Sequence, residues 1–153
     1  MAGAKKKNTT AKGATLEDDV YKRIKSWIRA GKIPIAPRNS TLHRWRDYHS
    51  NARNSKIRFE NVVEVYSTQG RVDDKLQPSL VIIFECKNYN SMVPVDDLEE
   101  FASKLSQLSG FRPKGYVVSR MGFQEGAKNF AESQGIGLIK LSQPVKGRLL
   151  VPP

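Results

Sequence analysis

The chain has 153 residues, a length that fits one domain with a buried core, and it carries 26 Lys and Arg against 15 Asp and Glu. Hydrophobic residues make up 39% and charged residues 27%, which excludes a disordered chain. The single Cys86 excludes a disulfide framework and the usual cysteine-based zinc sites, and no apolar run reaches the ~18 residues of a membrane helix. The net charge of +11 favours a polyanionic partner such as DNA, RNA or an acidic membrane surface, and we expect a cytoplasmic, reduced location.

The N-terminal part of the sequence predicts a basic flexible tail over residues 1–13, followed by a single domain over residues 14–153. Four lysines and no apolar segment define the tail, which is therefore not a secretory signal. Thr15 is a candidate cap for a helix that ends near Ala30 and Gly31. The acids of its first turn suit the positive helix end, and its apolar residues recur at helical spacing: Glu17, Asp18 and Asp19; Leu16, Val20, Ile24, Trp27 and Ile28.

Residues 32–55 contain Pro34 and Pro37 and have no strong periodicity, so we expect a long connection, an arrangement that is uncommon unless functional. The excess of positive charge lies in residues 20–60, where Asp47 and Glu60 are the acids. Arginines interleaved with aromatic residues suit contact with phosphates and stacking on bases. We therefore predict a DNA-binding surface formed by Arg38, His43, Arg44, Arg46, His49, Arg53 and Lys56.

From Ile57 the sequence alternates, which predicts a strand with an apolar face and a polar face that carries both Glu60 and Glu64. A polar connection with Asp73 and Asp74 follows. The unbroken apolar run of residues 80–84 is typical of a central strand covered on both faces. The two strands are expected to form a hairpin with a long loop.

The second half predicts helices over residues 94–110 and 123–133, and strands over residues 115–119 and 137–141, the latter being the last. Alternation of strands and helices implies parallel pairing through crossovers. The expected fold class is α/β.

The central strand ends in Glu85-Cys86-Lys87, where alternation places Glu85 and Lys87 on one face. Glu60 and Glu64 on the neighbouring strand can join them, and clustered carboxylates repel one another. Mg²⁺ or Mn²⁺ would relieve that repulsion. A divalent cation beside a lysine provides, in outline, a site for phosphodiester hydrolysis.

The segment 81–89, Val-Ile-Ile-Phe-Glu-Cys-Lys-Asn-Tyr, resembles the (D/E)-x-K strand of the PD-(D/E)XK nuclease superfamily, and most resembles Mrr-like restriction endonucleases. The resemblance spans roughly residues 57–141 and continues downstream at residues 94–97, 114–119, 122–123, Ala127 and 135–139. It implies a restriction-endonuclease-like mixed β-sheet flanked by helices, Mg²⁺ dependence and cleavage of DNA.

The first acid of the motif departs from the family pattern, which usually has Asp at the start of the preceding strand. The resemblance favours Glu60, with Glu64 as a rival, and ranks the loop acids Asp73 and Asp74 lower. It places the metal between Glu60 and Glu85, with the Cys86 main-chain carbonyl as a third ligand. A supporting role for Glu17 on the first helix is an alternative to a simple helix-start charge. Gln107, near the end of the second helix, is better explained as a solvated side chain than as a site residue.

The sequence therefore predicts a Mg²⁺-dependent DNA endonuclease of restriction type that acts as a homodimer, since cutting two strands usually needs two sites. The alternatives are a structure-specific nuclease such as a Holliday junction resolvase, which acts on branched DNA, or a catalytically inactive DNA-binding module. Motifs of nucleotide triphosphatases and serine hydrolases are absent from the sequence.

Overall fold

The computed structural model describes residues 10–33, 39–67, 77–108, 110, 113–143 and 146–151. Within them, the helices are α1 (Thr10–Arg29), α2 (Val95–Ser106) and α3 (Glu125–Gln134). The strands are β1 (Ser40–Ser50), β2 (Ser55–Val65), β3 (Leu80–Lys87), β4 (Pro113–Ser119), β5 (Gly137–Gln143) and β6 (Lys146–Val151). No helix in this part of the chain is both long enough and apolar enough to span a bilayer.

The strands form one mixed sheet in the order β1-β2-β3-β4-β5-β6. The first three strands are antiparallel neighbours, β3, β4 and β5 are parallel, and β6 is antiparallel to β5. The helices α2 and α3 make the crossovers between the parallel strands, which confirms the predicted α/β class. The predicted hairpin of β2 and β3 is also confirmed.

Helices cover both faces of the sheet. The buried residues of α1, such as Leu16 and Ile24, pack against Ile82 and Phe84 of β3. On the opposite face, α2 and α3 pack against Val81, Ile83 and their neighbours. The unbroken apolar run of β3 is thus buried on both sides, as its sequence predicted.

The start of α1 differs from the prediction. The helix begins at Thr10, so Glu17, Asp18 and Asp19 lie outside its first turn, and the predicted tail over residues 1–13 overlaps the helix. Residues 1–9 of that tail lie outside the described residues. Alanines around Gly13 favour helix, and one internal glycine costs only about 1 kcal/mol, so the helix extends past it. The predicted end is confirmed, with Gly31 at a φ of 69°.

The long connection predicted over residues 32–55 was wrong, because β1 occupies Ser40–Ser50 and a short turn joins it to β2. Its residues do not alternate between apolar and polar, since several partly buried positions hold charged side chains. Those side chains contact acids on β2 and α1, so these positions are partly covered without an apolar pattern.

Two helix boundaries and the number of strands in the second half also differ. Helix α2 ends at Ser106 rather than at Gly110, and α3 begins at Glu125 because Phe123 pairs with Val93 in an isolated bridge. The prediction that the strand beginning at Gly137 is the last was wrong, because β6 follows it.

Candidate active site

Halfway along the β1–β2 hairpin, the alternation of side chains between the two faces of the sheet is interrupted. Leu42 packs on the α1 side of the sheet and Tyr48 packs on the α2 and α3 side, although regular alternation would put both on one face. Phe59 and Val63 of β2 are separated in the same way. Both strands therefore interrupt their alternation at facing positions.

The interruption centres on Trp45 and Glu60. The paired residues Arg44 with Asn61 and Arg46 with Phe59 lie on either side, and the ladder skips the position between them. Trp45 has a φ of 63°, a left-handed conformation that a bulky residue rarely adopts and that tends to occur at functional sites. The interruption decides where Glu60 points.

At the same level, β2 separates from β3. Their described pairing ends at Asn61 and Phe84, although β3 continues to Lys87. The carboxylate of Glu60 enters the gap, and its Oε2 accepts a hydrogen bond of 3.1 Å from the backbone N–H of Cys86. Glu60 thereby satisfies an amide of β3 and lies next to the Glu85-Cys86-Lys87 segment.

The environment of Glu60 disfavours its charge. Burial, followed by the nearby carboxylates of Glu85 and Glu17, raises the pKa of Glu60 to about 8, even though the Cys86 amide opposes the shift. A cation bound beside Glu60 and Glu85 would remove the repulsion that causes this shift. Two carboxylates and a main-chain carbonyl form an oxygen donor set of the kind that Mg²⁺ and Mn²⁺ prefer, so the residues fit such an ion.

Glu85 is 7% exposed and is surrounded by cations. Its Oε1 lies 3.4 Å from Nζ of Lys87 and 3.7 Å from Nζ of Lys104 on α2. Burial would lower the pKa of Lys87, but the carboxylates of Glu85, Asp97 and Glu100 outweigh burial and raise it. Lys87 therefore keeps its positive charge at the end of β3.

Glu17 reaches the site from α1 and is held there by Arg44. One guanidinium nitrogen of Arg44 lies 3.3 Å from Oε2 of Glu17, and another contacts Asp18. A second contact ties α1 to the sheet, because Arg120 donates a 2.7 Å hydrogen bond to Asp19. Glu17 is thus close enough to influence Glu60, yet it is paired with an arginine.

Glu64 has a different environment. It is 1% exposed, and four donors reach it: Tyr48 at 2.6 Å, Tyr66 at 2.6 Å, Arg46 at 3.0 Å and His43 at 3.2 Å. Burial alone would raise the pKa of Glu64, but these hydrogen bonds and charges lower it. The expectation that Glu60 and Glu64 share one face was wrong, because the interrupted alternation lies between them.

The residues predicted to bind DNA fall into two groups. His49, Arg53 and Lys56 are exposed on the β1–β2 hairpin. His43, Arg44 and Arg46 contact acidic side chains within the fold. Arg38, like the acids Asp73 and Asp74, lies outside the described residues.

Sequence reasoning missed Lys104 and treated Asp97 as a helix-start charge. Asp97 is in fact buried at 1% exposure beside Lys87. Both residues flank the apolar stripe of α2 that faces the sheet, and this position in the sequence was the signal that could have identified them.

Gln107 accepts a 2.8 Å hydrogen bond from Ser50 at the end of β1, so it connects α2 to the hairpin. Among the described residues, no three His, Cys, Asp or Glu side chains already lie in a metal-binding geometry.

Comparison with known proteins identifies the family. The restriction endonuclease family model Mrr_cat matches residues 46–144, which include Glu60, Glu85, Lys87 and Lys104. This chain belongs to the Mrr_cat restriction endonuclease family. The predicted resemblance is confirmed, and the matched residues form a domain of restriction-endonuclease type.

Structural comparison supports the fold. The crystal structure of a protein of unknown function, AF1548, superposes with a TM-score of 0.55 at 16% identity. The match covers 81% of this chain and 56% of that one, so this chain spans little more than half of that protein's length. No curated protein matches this chain at a significant level. The restriction-endonuclease-like fold predicted from the sequence is confirmed.

Proposed function

We propose that this member of the Mrr_cat family is a Mg²⁺-dependent DNA endonuclease of restriction type that hydrolyses phosphodiester bonds. The observation that carries the proposal is the meeting of Glu60, Glu85 and Lys87 where β2 separates from β3. Two repelling carboxylates beside a charged lysine form a set of groups suited to a metal ion and a phosphate.

In this proposal Glu60, Glu85 and the main-chain carbonyl of Cys86 hold the cation. Bound there, Mg²⁺ or Mn²⁺ would polarise the scissile phosphate and lower the pKa of a water molecule. Glu17 supports the site through its charge, as its effect on the pKa of Glu60 indicates. Glu64 is assigned no metal ligand role, because all its hydrogen-bonding partners are protein donors that already surround it.

Lys87 provides the positive charge for the reaction. Its ammonium lies 3.4 Å from Glu85 and is kept protonated by the surrounding carboxylates. A fixed ammonium at this position can orient the attacking water and stabilise negative charge that develops on the phosphate. Its side chain is largely buried, which limits its motion and keeps it aligned.

The substrate proposed is double-stranded DNA, bound in part by the exposed His49, Arg53 and Lys56 of the hairpin. Cleavage of both strands calls for two sites, and we therefore propose a homodimer. A DNA substrate and the single buried thiol of Cys86 fit the cytoplasmic location predicted from the sequence.

Incubation of the purified protein with supercoiled plasmid tests this function. With Mg²⁺ we expect nicked and linear products, and with EDTA or with Lys87→Ala we expect supercoiled plasmid to remain. Lys128→Ala, at an exposed position of α3, serves as the matched control and is expected to cut normally. Retarded plasmid mobility without any nicking would contradict the nuclease proposal and favour the inactive DNA-binding module. Selective cutting of a four-way junction over linear duplex would favour the structure-specific alternative.

A further inference from the structure

Two lysines, rather than the one of the motif, surround the acid of β3. Lys87 Nζ and Lys104 Nζ lie 3.4 Å and 3.7 Å from the same oxygen of Glu85. Lys87 comes from β3 itself, whereas Lys104 comes from the last turn of α2. Both ammonium groups therefore lie at the point where the proposed reaction takes place.

The two lysines differ in their surroundings. The carboxylates of Asp97 and Glu100 also attract the ammonium group of Lys87, and the Lys87 side chain is only 13% exposed. Lys104 is 24% exposed, so its ammonium has more access to solvent and to an approaching phosphate. A lysine is a compact charge on a flexible stem, and it can move from a carboxylate to a nearby phosphate without a change in the backbone.

An ion pair of this kind adds little to folding. Glu85 is buried, so the cost of desolvating its charge offsets the attraction of Lys104, and Glu85 already has Lys87 as a nearer partner. Stability therefore explains the position of Lys104 poorly. A second cation is useful, however, where a phosphate gains negative charge on its non-bridging oxygens.

We propose that Lys104 is a catalytic residue whose ammonium contacts a non-bridging oxygen of the scissile phosphate. This role rests on the proposed nuclease function. Lys104 acts as a positive charge and neither donates nor accepts a proton. Lys87 and Lys104 thus approach the phosphate from β3 and from α2, on either side of Glu85.

The test compares Lys104→Met, which keeps the stem and removes the charge, with Lys104→Arg, which keeps the charge. Lys128→Met on α3 is the matched control. Single-turnover nicking of supercoiled plasmid is measured at saturating protein and Mg²⁺. The affinity for Mn²⁺ in the absence of DNA is measured by calorimetry.

We expect Lys104→Met to slow nicking roughly 10²-fold, the loss typical of removing one group that stabilises charge in a transition state. Its Mn²⁺ affinity should equal or exceed that of the unmodified protein, because a cation that competes for Glu85 is gone. Lys104→Arg should retain most of the rate, and Lys128→Met should retain all of it.

Nicking by Lys104→Met at the unmodified rate would overturn the role. A parallel loss of Mn²⁺ affinity and nicking would also overturn it, since Lys104 would then only position Glu85. If Lys104→Met does not fold, Lys104→Gln carries the same comparison. Failure of the unmodified protein to nick at all would instead overturn the nuclease function, and this role with it.

Discussion

Two glutamates of the same strand, four residues apart, have opposite electrostatic environments. Glu64 is surrounded by four protein donors, and its pKa is lowered despite burial. Glu60 receives one backbone N–H and faces two carboxylates, so its pKa is raised to about 8. The protein thus compensates the charge of the buried Glu64 and leaves that of the partly buried Glu60 largely uncompensated.

The difference between these environments distinguishes a glutamate that stabilises the fold from one that belongs to the proposed active site. A charge compensated by the protein holds the hairpin together, as Glu64 does by accepting hydrogen bonds from Tyr48 of β1 and from Tyr66 just after β2. A carboxylate such as Glu60, whose charge is left uncompensated, costs stability and indicates a place where another ion or a substrate binds. Glu60 therefore belongs to the proposed site and Glu64 to its support.

The largest expected effect is on cleavage. We predict that Glu60→Gln and Glu85→Gln each reduce plasmid nicking by at least roughly 10³-fold, because each removes a proposed metal ligand. The nicking rate of Glu64→Gln should stay within about tenfold of that of the unmodified protein when assayed well below its melting temperature. Glu64 stabilises the hairpin and is not a proposed metal ligand. Equal losses in Glu60→Gln and Glu64→Gln would erase the distinction between the two residues.

The next effect is on stability. Glu64→Gln should lower the free energy of unfolding by about 3 kcal/mol, because the amide leaves buried donors and charges without their acceptor. The same substitution at Glu60 is the matched control, and in metal-free buffer at pH 8 it should raise the stability. Urea denaturation measures both. A stabilising Glu64→Gln would show that its hydrogen bonds do not hold the hairpin.

The pH dependence of stability should separate the two residues in sign. The folded pKa of Glu60 is above its ordinary value of 4.5, so its favourable contribution is present at low pH and is lost as the pH rises through about 8. The folded pKa of Glu64 is lowered, so its contribution is present above 4.5 and is lost as the pH falls through the folded value. In EDTA, Glu60→Gln should flatten the decline toward pH 8, and Glu64→Gln should flatten the decline in acid. Parallel profiles for the two variants would contradict these environments.

The smallest effect concerns DNA contacts. Here we compare cationic side chains that are exposed to solvent with those that are already paired with an acid of the protein. Arg53→Ala or Lys56→Ala should weaken duplex binding and reduce the slope of its salt dependence by about 1. Arg46→Ala, which removes a partner of Glu64, should mainly lower stability. Fluorescence anisotropy across a salt series measures the slopes. An unchanged slope in both surface variants would exclude the hairpin from the DNA interface.

Local patterns in the sequence were enough to predict the parallel half of the fold. The apolar run of β3, the proline before α2 and the glycine after α1 each act through nearby residues, and the structure has them as expected. Glu85 and Lys87 could also be placed on one face, because β3 is regular up to its end.

The hairpin could not be predicted in this way. Its strand β1 carries partly exposed charged side chains whose partners lie 18 or more residues away in the sequence, as for Arg46 with Glu64 and Arg44 with Glu17. The interruption at Trp45 and Glu60 shifts the alternation of both strands, and no local pattern marks it. Lys104 was missed for the same reason, since its contact with Glu85 depends on how α2 packs on the sheet.

Calorimetric titration with Mn²⁺ tests the central claim most directly, because it measures the cation at the carboxylates without requiring cleavage. The unmodified protein and Glu64→Gln should bind Mn²⁺ with similar affinity, while Glu60→Gln and Glu85→Gln should lose at least about tenfold, or about 1.4 kcal/mol. Undiminished binding by Glu60→Gln, or its loss in Glu64→Gln, would show that the metal does not bind where β2 and β3 separate.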